Sequence, residues 1–341
     1  MSAASLYWLP EVAALAELRP LAPSGPFREL PLAKLAAPSL LDSWLALEPV
    51  KALLPIPILA LIFPAIWWFF RGTWRELDVE AAAYRSDLLQ KGKFDTRPLA
   101  CLVIVAVVLT LQQYYGGRIF YDTSIHPWLV ELQSSGSSFL HLEHFDELYG
   151  YGWWVAARLI GYVLIPFPVW KLLYPKDSLF DLGFRIKGFT SHLWIYGLCL
   201  AIVVPSMLLV AAQPDFGSYY PFYKLSSRSW ADFAAWEGMY FLQFLGLEMF
   251  FRGFMVGVLR RSMGAAAIFA MAVPYCMIHF GKPYLEANGA IVAGVVLGSL
   301  AARTRSVYAG FLVHITVAFL MDFLALSHRG ALPTHLWPVW P

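Results

Sequence analysis

Apolar residues in this chain fall in long unbroken blocks rather than at amphipathic spacing. Eight blocks read as crossings of a bilayer about 30 Å thick. They lie at about 50–70, 98–116, 151–173, 190–212, 229–259, 265–280, 287–302 and 306–327. Lipid offers no water to open backbone groups, so each block is expected as a helix. The fifth is longer than a crossing needs, and its start, Ser229-Trp230-Ala231-Asp232, reads as a capped turn at the interface. In the seventh, Ala290, Gly294, Gly298 and Ala302 recur every four residues. A small-residue stripe of this kind lets helix backbones approach closely, so that helix is expected inside the bundle. The expected fold is all-α: a polytopic membrane helix bundle with about eight transmembrane helices.

Charge in the connecting segments orients the bundle. The segments after blocks one, three, five and seven carry 6, 4, 2 and 2 Lys/Arg, whereas those after two, four and six and the C-terminal tail carry 1, 2, 1 and 1. The positive-inside rule makes the richer set cytoplasmic, with both termini and the segment 117–150 outside. Composition agrees with the class: 59% of the 341 residues are hydrophobic and 14% charged, well below the roughly 25% charged of an average soluble domain. Mean hydropathy is +0.58. The net charge of +2 carries no indication of nucleic acid, because the basic residues sit in short connections. Cys101, Cys199 and Cys276 all lie inside apolar blocks, which argues against a disulfide framework.

The organisation expected is an N-terminal segment 1–46, a set of membrane helices and loops over 47–189, a core over 190–327 and a tail over 328–341. Segment 1–46 alternates apolar stretches with prolines and reads as short amphipathic helices lying on the membrane. It lacks the charged and apolar regions of a cleavable signal peptide. In 117–150, His141, Glu143, His144, Asp146 and Glu147 crowd seven positions, but without a fixed tetrahedral spacing, so they read as a solvated helix end rather than a metal site.

Ionisable groups inside apolar blocks are expensive and therefore point to function. Glu248 and Arg252 are four residues apart in the fifth block and share a helix face, where they can pair. A structural ion pair that locks two helices explains them equally well. His279 ends the sixth block, and His314 sits within the eighth. A lone membrane histidine is more often a packing residue. A carboxylate and two imidazoles brought together by neighbouring helices, however, suit proton transfer to and from water.

Three segments, in order, resemble the CAAX protease and bacteriocin-processing (CPBP, or ABI) family of glutamic intramembrane proteases. Its motifs are Glu-Glu-x-x-x-Arg, Phe-x-x-x-His and His-x-x-x-Asn on successive helices. Here they read Leu247-Glu248-x-x-x-Arg252, Tyr275-x-x-x-His279 and His314-x-x-x-Ala318. Among the departures from the pattern, the first Glu aligns with Leu247 and the Asn with Ala318.

The resemblance implies an intramembrane endopeptidase, a peptidase that acts on membrane-anchored, lipid-modified or C-terminal sorting segments in a bacterial inner membrane. Glu248, helped by His279, would activate water, His314 would donate to the oxyanion, and Arg252 would hold Glu248. Asn288 is a candidate replacement donor, Asp322 a candidate to orient an imidazole, and Glu286 a further carboxylate near the outer mouth. No cofactor or metal is expected, and the partners expected are the lipid bilayer and a membrane-anchored protein or peptide. Two alternatives stand beside this reading. One is a non-catalytic scaffold or immunity protein, which Leu247 and Ala318 would suit. The other is a zinc-dependent protease, made less attractive because no His-Glu-x-x-His helix is present.

Overall fold

The computed structural model describes residues 48–137, 139–211, 219–282 and 284–339. Segment 1–46 lies outside them. Eight apolar helices occupy the positions of the eight blocks: α1 (Pro55–Gln90), α2 (Arg97–Tyr115), α3 (Leu142–Leu173), α4 (Leu193–Ala211), α5 (Trp230–Met263), α6 (Ala266–Met277), α7 (Tyr284–Thr304) and α8 (Tyr308–His328). Six are long and apolar enough to cross a membrane, while α4 and α6 offer the shorter apolar stretches Leu193–Pro205 and Ala266–Met277. No strand occurs among the described residues, only an isolated bridge between Phe184 and Ser306. The protein is an integral, multi-pass membrane protein.

Helix α5 is the axis of the bundle. Of its apolar window 78% is buried, against 17% for that of α1. The first half of α5 packs on α3 and α8, its middle on α6 and α7, and its end on α1 and α2. Ser229 caps it, with the Asp232 N–H donating to Ser229 Oγ at 3.0 Å. The chain beyond α8 folds back over the same end, where the Trp230 and Ala231 N–H groups donate to the carbonyls of His335 and Leu336. These bonds satisfy donors that the first turn of any helix leaves open.

Several boundaries differ from the apolar blocks. The expected connection 71–97 is mostly helix, because α1 runs unbroken to Gln90. Ile66, Phe70, Thr73, Leu77 and Ala81 are buried at helical spacing along it, while charged residues cover the other faces. Asp78 on this extension accepts the Ala265 N–H at 2.9 Å and so caps α6. The expected outer loop 117–150 is also largely helical, with His126–Ser134 as its longest separate piece, and α3 begins at Leu142 rather than 151. Its acids are engaged locally: Asp146 meets Arg118, Tyr121 and His126. Among the described residues no group of three or more His, Cys, Asp or Glu could hold a metal. The sixth block is shortened, so His279 lies in the turn after α6 rather than within a helix.

The small-residue stripe of α7 faces α6 closely. A Cβ on Gly294 would lie 3.1 Å from Tyr275 and 3.2 Å from Ala272, and one on Gly298 only 2.8 Å from Met271 and 3.0 Å from Ile268. The four basic connections meet at one end of the bundle. There Arg97 and Arg261 approach Asp177, Arg185 and Arg261 approach Asp181, and Arg260 and Arg305 approach Glu80.

Candidate active site

Midway along α5 the winding changes. Met249–Val256 is a π-helical segment that starts directly after Glu248 and carries Arg252. Segments of this kind widen the turn and occur often at functional sites. Here the widened stretch is held by the loop 179–183. A Cβ on Gly253 would come within 2.6 Å of the Leu182 carbonyl oxygen, and one on Gly257 within 3.2 Å of Leu182 Cα. Glycine at both positions lets the loop backbone press against the helix.

The α5 wall presents Glu248 to α8. The Glu248 side chain is fully buried, as is that of Arg252, and Oε1 lies 3.1 Å from Arg252 Nη1 and 2.9 Å from His314 Nδ1. Neither contact has the alignment of a hydrogen bond. Catalytic contacts are often loose in this way before substrate binds. The second carboxylate oxygen, Oε2, lies over the α8 backbone at Gly310, where a Cβ would sit 2.1 Å from it. Only glycine leaves room for the carboxylate between the two helices.

Tyr275 on α6 closes the group. Its hydroxyl is 3.2 Å from His314 Nε2, and the Arg252 guanidinium lies 3.8 Å from its ring centroid. Phe244 stacks on the other side of the His314 ring, 4.9 Å away and 8° from parallel. The Tyr196 hydroxyl on α4 is buried without a hydrogen-bond partner. Among Glu248, Arg252, Tyr275 and His314, only the His314 side chain retains appreciable exposure, at 16%. That opening makes it the member of the group nearest to anything entering from outside the protein.

His279 joins through Tyr275 rather than touching Glu248. Its Nδ1 donates to the Tyr275 carbonyl at 2.8 Å, and the two rings meet edge to face at 4.8 Å. The Nδ1–H bond to a carbonyl leaves Nε2 as the nitrogen with a free lone pair. Thus Glu248, Arg252 and His314 are in direct contact, and His279 is one residue removed.

The other residues expected in or near the site are engaged elsewhere. Asp322 does not orient an imidazole: it accepts from Trp236 Nε1 at 2.6 Å, two turns beyond His314. Asn288 donates to the Tyr284 carbonyl of its own helix at 2.8 Å, and Glu286 pairs with Lys282 at 2.7 Å. The departures at Leu247 and Ala318 are apolar in fact as well as in name. Leu247 belongs to the main core, and Ala318 packs with Tyr223, Trp236 and Tyr240. His314 also differs from expectation, since both of its ring nitrogens face protein groups and neither is left to meet an oxyanion.

Fold and site together define a membrane-embedded centre in which one buried carboxylate is held by an arginine and a histidine. Residues 229–320, which run from the cap of α5 into α8, match the family model described as type II CAAX prenyl endopeptidase Rce1-like, a branch of the CPBP family. The match covers just over a quarter of the chain and contains all three motifs. No curated protein and no solved structure matches the chain.

Proposed function

We propose that the protein is an intramembrane endopeptidase of the glutamic type, with Glu248 as the base that activates water. The observation that carries this reading is the placement of Glu248 Oε1 against both Arg252 and His314, with Oε2 left uncommitted above Gly310. Arg252 and His314 hold one oxygen in place. The other takes a proton from water as the hydroxyl adds to the scissile carbonyl carbon. The same proton then passes to the departing nitrogen as the carbon–nitrogen bond breaks. His279, through its free Nε2, assists on the side of Tyr275. The developing oxyanion needs fixed donors, and loss of one such donor commonly costs about 3–4 kcal/mol. The Arg252 guanidinium supplies buried N–H groups next to Glu248. Arg252 therefore both holds the base and lends charge to the transition state.

The Rce1-like match supports substrates that end near the membrane surface and carry a lipid anchor. A C-terminal tail or a sorting helix of an exported protein fits the same geometry. A zinc site fits the residues poorly. Arg252, a permanent cation, already lies against Glu248 Oε1, and both His314 nitrogens are engaged. The scaffold alternative draws on Leu247 and Ala318, and a structural ion pair suits it, but it gives little reason to keep His314 against that pair in lipid. Co-expression with membrane-anchored candidate substrates, comparing wild type with Glu248→Ala, tests the proposal. Processing by the wild type alone supports it, and equal processing by both proteins refutes it.

A further inference from the structure

Tyr275 stands where the family motif has phenylalanine, and its hydroxyl is the atom that phenylalanine lacks. The side chain is 1% exposed. It touches three members of the site at once. The hydroxyl meets His314 Nε2, the ring lies under Arg252, and the backbone carbonyl accepts from His279. The phenylalanine of the motif could keep the second and third of these contacts but not the first.

We infer that Tyr275 is a positioning residue whose hydroxyl donates to His314 Nε2 and so holds the proton of that imidazole on Nδ1, facing Glu248. Arg252 is always charged, and a carboxylate 3.1 Å away balances that charge within the membrane. A carboxylate only accepts, and His314 Nδ1 is the ring nitrogen that faces it, 2.9 Å from Oε1, so the ring hydrogen is favoured on Nδ1 by charge even without an aligned hydrogen bond. A neutral imidazole has a single N–H, so Nε2 is left as an acceptor. Among the described residues, the Tyr275 hydroxyl is the donor within reach of it. The hydrogen bond on one ring nitrogen thus sets what the other nitrogen offers. This chain of three groups engages Oε1 and leaves Oε2, above Gly310, to receive the proton from water.

The inference rests on the proposed endopeptidase reading for its kinetic consequence, but not for its tautomer. Tyr275→Phe removes one oxygen, restores the residue of the family motif and keeps the ring under Arg252. Two measurements follow. In nuclear magnetic resonance of the full chain with isotope-labelled histidine, in lipid nanodiscs, the His314 signals are those lost in His314→Gln. Wild type should show the Nδ1–H tautomer, and Tyr275→Phe should show a mixture with the Nε2–H form. In turnover of a co-expressed substrate, kcat should fall about 10- to 100-fold, the usual effect of losing a partner that orients a functional histidine, with KM changed by less than about twofold. An Nε2–H or imidazolium His314 in wild type overturns the inference, as does a Tyr275→Phe protein with unchanged tautomer and kcat. If wild type shows no turnover on any substrate, the endopeptidase reading is what fails, and the tautomer measurement still decides the role of Tyr275.

Discussion

Gly310→Ala is the smallest change that should disable the site. Its Cβ would stand 2.1 Å from Glu248 Oε2, 2.6 Å from Cδ and 3.0 Å from Oε1, whereas ordinary contact begins at 3.4 Å. The carboxylate must therefore retreat by about 1.3 Å, or α8 must move outward by a similar distance. A displacement near 1 Å at a reacting group commonly costs about 100-fold in rate. Overpacking a tight interface by one methyl costs about 1–3 kcal/mol of stability, which leaves most membrane bundles folded. Since the retreating oxygen is the one free to take the proton, kcat should fall about 100-fold while the protein still purifies as a single species. The assay is turnover of a membrane-anchored substrate, run beside thermal unfolding in the same detergent. Full turnover with unchanged melting would show that Glu248 does not lie against Gly310, which would refute this geometry.

Two further outcomes follow from the packing and the ion pairs. Gly298→Leu should destabilise more than Leu297→Ala, because Met271 and Ile268 leave no room for a side chain at 298. Thermal unfolding of the two variants checks this, and a normally melting Gly298→Leu contradicts the close α6–α7 contact. Asp177 lies in the connection after α3. Its burial acts to raise the pKa, but hydrogen bonds and charge from Arg97 and charge from Arg261 outweigh it and hold the carboxyl below its ordinary value of 3.8. A depressed folded pKa means the stabilisation is complete above about pH 4 and is lost as pH falls through the lower folded value. Asp177→Asn should accordingly flatten the acid limb of a melting-temperature profile, and an unaltered limb would deny the group that role.

The helices were legible because lipid leaves the backbone one choice, and eight apolar blocks became eight apolar helices. Their ends were harder to read, since hydropathy marks where lipid stops and not where hydrogen bonding does. The extension of α1 shows this: Ile66, Phe70, Thr73, Leu77 and Ala81 carry a helical period through charged sequence, which a search for apolar runs passes over. Ionisable residues inside apolar blocks pointed to Glu248, Arg252, His279 and His314; Glu248, Arg252 and His314 are in contact, and His279 is one residue removed. The same reasoning attached Asp322 to an imidazole because it lies two turns from His314. A tertiary partner, Trp236, takes it instead, and no local pattern reveals that. Gly310 and Tyr275 went unread for a related reason. A glycine in a helix and an aromatic beside a histidine acquire meaning only when the neighbouring helix is known, although a hydroxyl at a phenylalanine position was a visible clue.

The central claim is that Glu248 is the base of a peptidase, and the most direct measurement is hydrolysis by purified protein in liposomes. Glu248→Gln keeps the shape but strands the Arg252 charge, and breaking a buried pair costs about 3–5 kcal/mol. The double variant Glu248→Gln with Arg252→Met removes both charges and keeps the volume, so it serves as the folded control. Each protein is given a membrane-anchored substrate in water enriched in oxygen-18, and the products are read by mass spectrometry. The account predicts that wild type releases a fragment with one heavy oxygen in its new carboxylate, and that both variants, folded by size-exclusion chromatography, release none. Labelled product from a folded Glu248→Gln protein at the wild-type rate would contradict it.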